Sequence, residues 1–177
     1  LHTDYAMDKN AIMAHQTVLP CLYEQRFDGH GHFIDQPFYD ELEKIMAWSE
    51  LACEQEARFA LVVDQCLVRL FPTNAPSYKE RWLAELDRFA LTLLKLGEAI
   101  LIWHQSSDGK WLFVQNRHAW GWIPTEAAAF CREDAWRSWC GERDFIQVIA
   151  SRTTVDYQES NNQFTQQFLM GTRLPLR

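Results

Sequence analysis

The chain has no excess of positive charge, no long apolar run and no paired cysteine motif, and each lack removes a class of function. Its 17 Lys and Arg are outnumbered by 24 Asp and Glu, for a formal charge of −7, and no basic stripe breaks the acidic background. Nucleic acid is therefore not an expected partner, because neutralising phosphates supplies most of such affinity. No stretch reaches the run of about eighteen apolar residues that a bilayer-crossing helix needs. A basic segment followed by an apolar core is also missing at the start, which is Leu1 rather than Met. Cys21, Cys53, Cys66, Cys131 and Cys140 form no Cys-x-x-Cys pair, so no zinc ribbon or redox motif is present, and buried structural thiols are expected.

The sequence is equally poor in catalytic groupings. A nucleophilic cysteine needs a neighbouring base or a helix N-terminus to lower its pKa. Cys131 comes nearest, but Arg132-Glu133-Asp134 beside it adds more negative charge than positive. His104 and His118 flank apolar runs and read as strand or turn positions. His30-Gly31-His32 offers two imidazoles with no third ligand spaced to join them. Glu133 with Asp134, and Glu54 with Glu56, read as solubilising surface charge. No phosphate-cradling glycine loop occurs, and neither a metal nor a cofactor is expected.

What the chain has is aromatic residues, 14% of the total with eight Trp, and one well-punctuated stretch from Leu96 to Pro124. Gly97 turns the chain into an apolar run, Ala99 to Trp103. Asp108-Gly109 is a strong hairpin signal, because glycine tolerates the positive φ of tight turns. A second run, Trp111 to Gln115, leads through Asn116 and Arg117 to a third, Ala119 to Ile123. Pro124 ends it, since proline cannot donate to a ladder.

Residues 1 to 35 lack a sustained period and read as an extended arm with one short helix. Pro37 opens a helical pattern in which Phe38, Leu42, Ile45, Met46 and Ala52 share one stripe, predicting a helix to about Arg58. Trp48 lies off that stripe. Phe59 to Val63 and Cys66 to Leu70 read as strands, followed by a proline-punctuated loop that holds a short helix near Lys79 to Phe89. Leu91 to Leu94 leads back to the hairpins. Beyond Pro124, Ala127, Phe130, Ala135, Trp136 and Trp139 suit helical turns, with Gly141 as a C-cap. Phe145 to Ala150 reads as a buried strand, Thr153 to Tyr157 as another, and Gln158 to Gln163 as a loop. Phe168 to Leu176 then begins a strand–glycine–strand pattern that stops in mid-course, as though the chain were cut.

Leu67-Val68-Arg69-Leu70-Phe71-Pro72-Thr73, Pro76, Asp87-Arg88-Phe89, Gly97-Glu98, Ser106-x-Asp108-Gly109-Lys110-Trp111-Leu112-Phe113-Val114 and Gly121-Trp122-Ile123 together resemble a bacterial SH3-like (SH3b) module. It is the first of two that precede the catalytic domain of certain NlpC-type cell-wall cysteine peptidases. Those enzymes have a docking segment, two SH3b domains and a papain-like domain, and they cut γ-D-glutamyl–diamino-acid bonds of peptidoglycan stem peptides. Met170 to Leu176 looks like the opening of the second module. The resemblance implies a mainly β fold with added helices: a docking arm and helix over residues 1–58, an SH3-like barrel with a long inserted loop over 59–150, and a linker with a truncated second module over 151–177.

The family's nucleophile motif, Asp-Cys-Ser followed by two His, occurs around none of the five cysteines, so no catalytic residue carries over. The resemblance implies a non-catalytic targeting and substrate-gating region, whose partners are stem peptides or muropeptides and a catalytic domain in the same protein. It also implies a place in the bacterial cell envelope, periplasmic or extracellular. Tyr78, Asp87 and Arg88 on the loop from Phe71 to Phe89, with Trp111 and Trp120, are the expected ligand contacts; for Asp87 and Arg88, pinning the loop is the competing role. Proline-rich peptides are disfavoured, because the Tyr that walls their groove three residues after the Ile-Pro proline is Ala127 here. The alternative reading is a stand-alone envelope binding or assembly module with no attached enzyme.

Overall fold

In the computed structural model, residues 5–16, 25–81, 86–159 and 162–176 are described. The arm contributes β1 (Ala6–Asp8), α1 (Lys9–Ala14), α2 (Gln36–Met46) and β2 (Glu54–Glu56). The next strands are β3 (Arg58–Val62), β4 (Cys66–Arg69), β5 (Ala90–Leu94), β6 (Ala99–Gln105), β7 (Trp111–Gln115), β8 (Trp120–Pro124) and β9 (Ala128–Cys131). Then come α3 (Glu133–Gly141), β10 (Phe145–Gln147), β11 (Arg152–Glu159), β12 (Asn162–Leu169) and β13 (Arg173–Pro175).

Strands β3 to β9 make one antiparallel sheet in the order β5-β4-β8-β7-β6-β3-β9, an SH3-like, mainly β arrangement whose ladder does not close, leaving β5 and β9 as edges. The Asp108-Gly109 turn forms as its residues dictate. Asp108 Oδ1 accepts from Ser106 Oγ at 2.6 Å and from the Lys110 N–H at 3.0 Å, and Gly109 takes φ 71°. Gly121 is demanded by a crossing: a Cβ there would lie 2.6 Å from the Arg69 carbonyl oxygen.

Two apolar clusters form the core. Ala60, Val62, Val68, Leu94, Ile100, Ile102, Leu112, Val114 and Ile123 fill the inside of the sheet. The other cluster joins Phe89, Trp103, Trp111, Phe113 and Trp122 on the sheet to Ile12, Tyr39, Leu42 and Met46 from the arm. The arm is therefore packed on the module and buries its aromatic face.

Several sequence expectations need correction. The helix predicted to run to Arg58 stops at Met46, because Ala47 adopts the left-handed conformation (φ 49°). The chain then makes one 3₁₀ turn, Trp48–Glu50, and Trp48 packs on His104, Phe113 and Trp122. After Pro124 the expected helical turns are a 3₁₀ turn, Thr125–Ala127, and strand β9, which pairs with the otherwise open edge of β3. Helix α3 runs through Gly141 rather than being capped by it. The strand expected to be buried from Phe145 is short and exposed, with Ile146 at 55% and Ile149, just past its end, at 84%. Gln158 and Gln163 are not in a loop but face each other in the β11–β12 ladder. The short helix placed near Lys79 to Phe89 falls partly on residues 82–85, outside the described residues, and the flanks on either side are not helical.

A backbone pattern occurs twice. Once, β3 pairs with β6 and the β4–β5 ribbon rises between them in the chain. Again, β10 pairs with β13 and the β11–β12 ribbon lies between. The Gly97 N–H donates to the Val62 carbonyl (2.8 Å) and the Val62 N–H to the Glu98 carbonyl (2.9 Å). Gly171, Val148 and Thr172 repeat both bonds at 2.8 and 3.0 Å, and Gly97 and Gly171 share φ 83°.

Candidate functional site

Of the five residues singled out from the sequence, Tyr78, Asp87 and Arg88 gather around Ser77, while Trp111 lies in the core and Trp120 stacks on His15 and Trp103. Asp87 is a brace. Its Oδ1 accepts from the N–H groups of Ser77 and Phe89, both at 2.9 Å, and its Oδ2 meets the Arg69 guanidinium at 3.0 Å. Arg69 is 5% exposed and also donates to the Ala75 carbonyl at 2.8 Å. A buried charge needs such a partner set, since either charge left alone would be costly. Asp87 thus closes the base of the loop 70–89 and pins it, the role weighed for it from the sequence.

Tyr78 is half-buried; its backbone exchanges both hydrogen bonds with Phe27 of the arm, at 2.9 and 2.8 Å. Arg81 donates from Nε to the Gly31 carbonyl at 2.9 Å. The arm segment around Phe27 to Phe33 therefore supports the loop from one side. Arg88 is exposed, and its N–H donates to the Ser77 carbonyl at 2.7 Å, which leaves its side chain at the loop surface.

Trp111 is 7% exposed and belongs to the core shared with the arm. The loop after β6 also grips the end of α2. The Ser107 N–H donates to the Ile45 carbonyl at 2.9 Å, and His104 Nε2 lies 2.8 Å from the Met46 carbonyl. The Trp111 face is packed against the protein's own arm, and Ala127, at the position where proline-rich-peptide binders carry a Tyr, is 3% exposed. Trp120 is half-buried between two rings, stacked on His15 at 3.8 Å and on Trp103 at 5.8 Å.

The cysteines are not the buried thiols expected. Cys53 and Cys140 are exposed and Cys66 and Cys131 half-buried, all with free thiols; Cys21 lies outside the described residues. Burial and then the charges of Asp64, Glu98 and Glu126 push the Cys66 thiol up to about 12. Burial also raises Cys131 and Cys140. Each shift disfavours the thiolate, which is the form that attacks. In the His30-Gly31-His32 turn, Asp28 Oδ1 accepts from the N–H groups of both His30 and His32 at 2.8 Å, so the turn is held by hydrogen bonds. Among the described residues, no three His, Cys, Asp or Glu are grouped to hold a metal ion.

The feature that sequence reasoning missed is a cleft of about 580 Å³ between the first module and β10–β13. Its floor is the outer face of β6 and β7, at Ala99, Leu101 and Gln115. Trp136 and Trp139 of α3 form one wall and the β7–β8 turn with Arg117 the other, while Phe145, Thr172 and Arg173 close the end. The two indoles are held rigidly: Trp136 Nε1 donates to the Ile100 carbonyl at 3.1 Å and Trp139 Nε1 to the Gly97 carbonyl at 2.8 Å. The Trp pair at i and i+3 on one helix was the signal available in the sequence.

Residues 84–124 match the family model described as an SH3 domain (SH3b1 type). The described part of that span, 86–124, runs through β5, β6 and β7 to the end of β8 and carries an SH3b-type sequence match. Among solved structures, the chain is similar to a novel NlpC/P60 endopeptidase from Photobacterium damselae subsp. piscicida, at 18% identity and a TM-score of 0.74. That likeness covers 95% of this chain and 36% of the other, so the chain spans about a third of the length of the structure it resembles. Among curated proteins, none matches.

Proposed function

We propose that this chain is the non-catalytic front region of a bacterial cell-wall peptidase, holding it on peptidoglycan and restricting which stem peptides reach a catalytic domain elsewhere in the protein. The observation that carries this reading is the extent of the structural likeness. The likeness to an NlpC/P60 endopeptidase covers 95% of this chain, and an SH3b1-type sequence match falls within it. The proposed parts are the arm, the SH3b module and a second module whose first strand is β10. The proposed place of action is the cell envelope, periplasmic or extracellular.

Within this reading Tyr78 and Arg88 meet the stem peptide from the loop surface, Arg88 by a charge-assisted bond to a carboxylate. Asp87 positions the loop without touching ligand, and Trp120 contributes a rim. Trp111, in the core, supports the module rather than the ligand.

The test is co-sedimentation of the purified chain with sacculi, alongside mass spectrometry of the soluble fraction. The expected result is retention without released peptides, weakened by Arg88→Ala and Tyr78→Ala together. Peptide release by these 177 residues, or no retention at all, would overturn the proposal.

A further inference from the structure

We infer that the cleft between the first module and β10–β13 is a binding site for a short acidic peptide. This rests on the reading above, that the chain engages stem peptides, and names a second surface for them. The cleft's volume of about 580 Å³ lies within the range of small-ligand sites, roughly 300–1,000 Å³. Its chemistry is unlike the rest of this acidic chain.

Three cations line it, Lys95, Arg117 and Arg173. No ion pair engages any of them among the described residues; the Arg173 guanidinium lies over the Phe145 ring at 3.5 Å. The two carboxylates of the lining keep their charge and are held in place by neutral donors. Glu98 Oε1 accepts from the Lys95 N–H at 3.3 Å and its Oε2 from Asn116 Nδ2 at 3.1 Å. Glu142 Oε1 accepts from the N–H groups of Arg143 and Asp144 at 3.0 and 3.3 Å. Three cations against two carboxylates leave the lining with a net positive balance.

A second, independent sign is Thr172. It is 2% exposed, lines the cleft, and its Oγ1 has no hydrogen-bond partner. A buried hydroxyl without a partner is a cost to folding, and a ligand or a water bridging to one supplies the missing bond. Trp136 and Trp139 add flat apolar walls for an aliphatic side chain. A peptide with two or more carboxylates and short side chains satisfies all of these groups, whereas a neutral or basic peptide leaves the cations unpaired.

The experiment is ¹⁵N-NMR titration of the chain with the tripeptide L-alanyl-γ-D-glutamyl-diaminopimelate, with acetate as a control. The expected result is shifts at the Trp136 and Trp139 indole N–H signals and at the Arg117 and Thr172 amides. Lys95→Ala with Arg117→Ala should raise Kd about tenfold or more, the loss expected for one charged hydrogen bond. Thr172→Val should weaken binding while leaving the chain at least as stable, a pairing that a purely structural threonine does not produce. Shifts confined to loop 70–89 would overturn the cleft and leave the proposed function standing. Retention on sacculi with no tripeptide shift at the cleft would do the same. Equal shifts with acetate would reduce the cleft to a general anion surface and overturn the assignment. Failure of both tripeptide and sacculi binding would overturn both readings.

Discussion

The two strand–ribbon–strand units share a backbone pattern and differ in what covers them. In the first, the pair Ala60–Ile100 is fully buried under β7, β8 and the rest of the sheet. The matching pair of the second is Ile146–Leu174, and Ile146 stands 55% exposed. The first ribbon carries the whole loop 70–89 between its arms, while the second has only residues 160 and 161 there. Hydrogen bonds and a positive-φ glycine are therefore enough to set the geometry of the unit. Stability comes from the strands that pack over it, consistent with the marginal stability of an isolated ribbon.

The sharpest break in this comparison is at the paired positions. Ile100→Ala should cost about 2–5 kcal/mol in urea denaturation, the usual range for emptying a core site. Leu174→Ala should cost below about 1 kcal/mol, because less apolar area is hidden there. Equal costs would mean that the second unit is as well packed as the first. The loop present only in the first unit gives the next contrast. Asp87→Ala strands the Arg69 guanidinium and two N–H groups, for an expected loss of about 3 kcal/mol. Arg88→Ala should stay within about 0.5 kcal/mol, so equal effects of the pair would refute the brace.

The first unit carries a buried histidine, His104, whereas residues 145–176 contain no histidine. Burial lowers the pKa of His104, outweighing the hydrogen bond to the Met46 carbonyl. The unfolded chain then binds a proton that the folded one resists. Stability is full above the unfolded value of about 6.5 and falls as pH drops from there towards the folded value, by at most about 1.4 kcal/mol per pH unit. Melting curves between pH 8 and 5 should show this slope in the tryptophan signal of the first module. His104→Gln, which keeps a donor for Met46, should flatten it. The smallest effect separates the two glycines. Gly97→Ala and Gly171→Ala each carry a local penalty of about 1–2 kcal/mol for a Cβ at positive φ. Only the first should shift the global midpoint, and the second should speed amide exchange at Val148 and Thr172 alone.

The strands around Asp108-Gly109 were legible in the sequence because their signals are local: a turn, two apolar runs, a terminating proline. Strand β9 was not. The alanine run from Ala127 to Ala129 favours a helix by propensity, and only the need of β3 for an edge partner makes Ala128–Cys131 a strand. The end of α2 was equally hidden, since an alanine at positive φ carries no sequence mark. In the loop holding Tyr78, Asp87 and Arg88, only the bracing contacts of Asp87, weighed from the sequence as loop pinning, can be read in the structure. The cleft was invisible because Lys95, Arg117 and Arg173 meet only after β13 pairs back on β10.

The packing of the arm on the module has an evolutionary consequence. Ile12, Tyr39, Leu42 and Met46 share a core with Trp111, Phe113 and Trp122, so either part inherited without the other would expose its apolar face. Domain shuffling is then expected to move arm and module together. Changes at Tyr39 or Met46 are then tolerated only alongside compensating changes at Phe71, Phe89 or Trp122, and related chains should vary at these positions together.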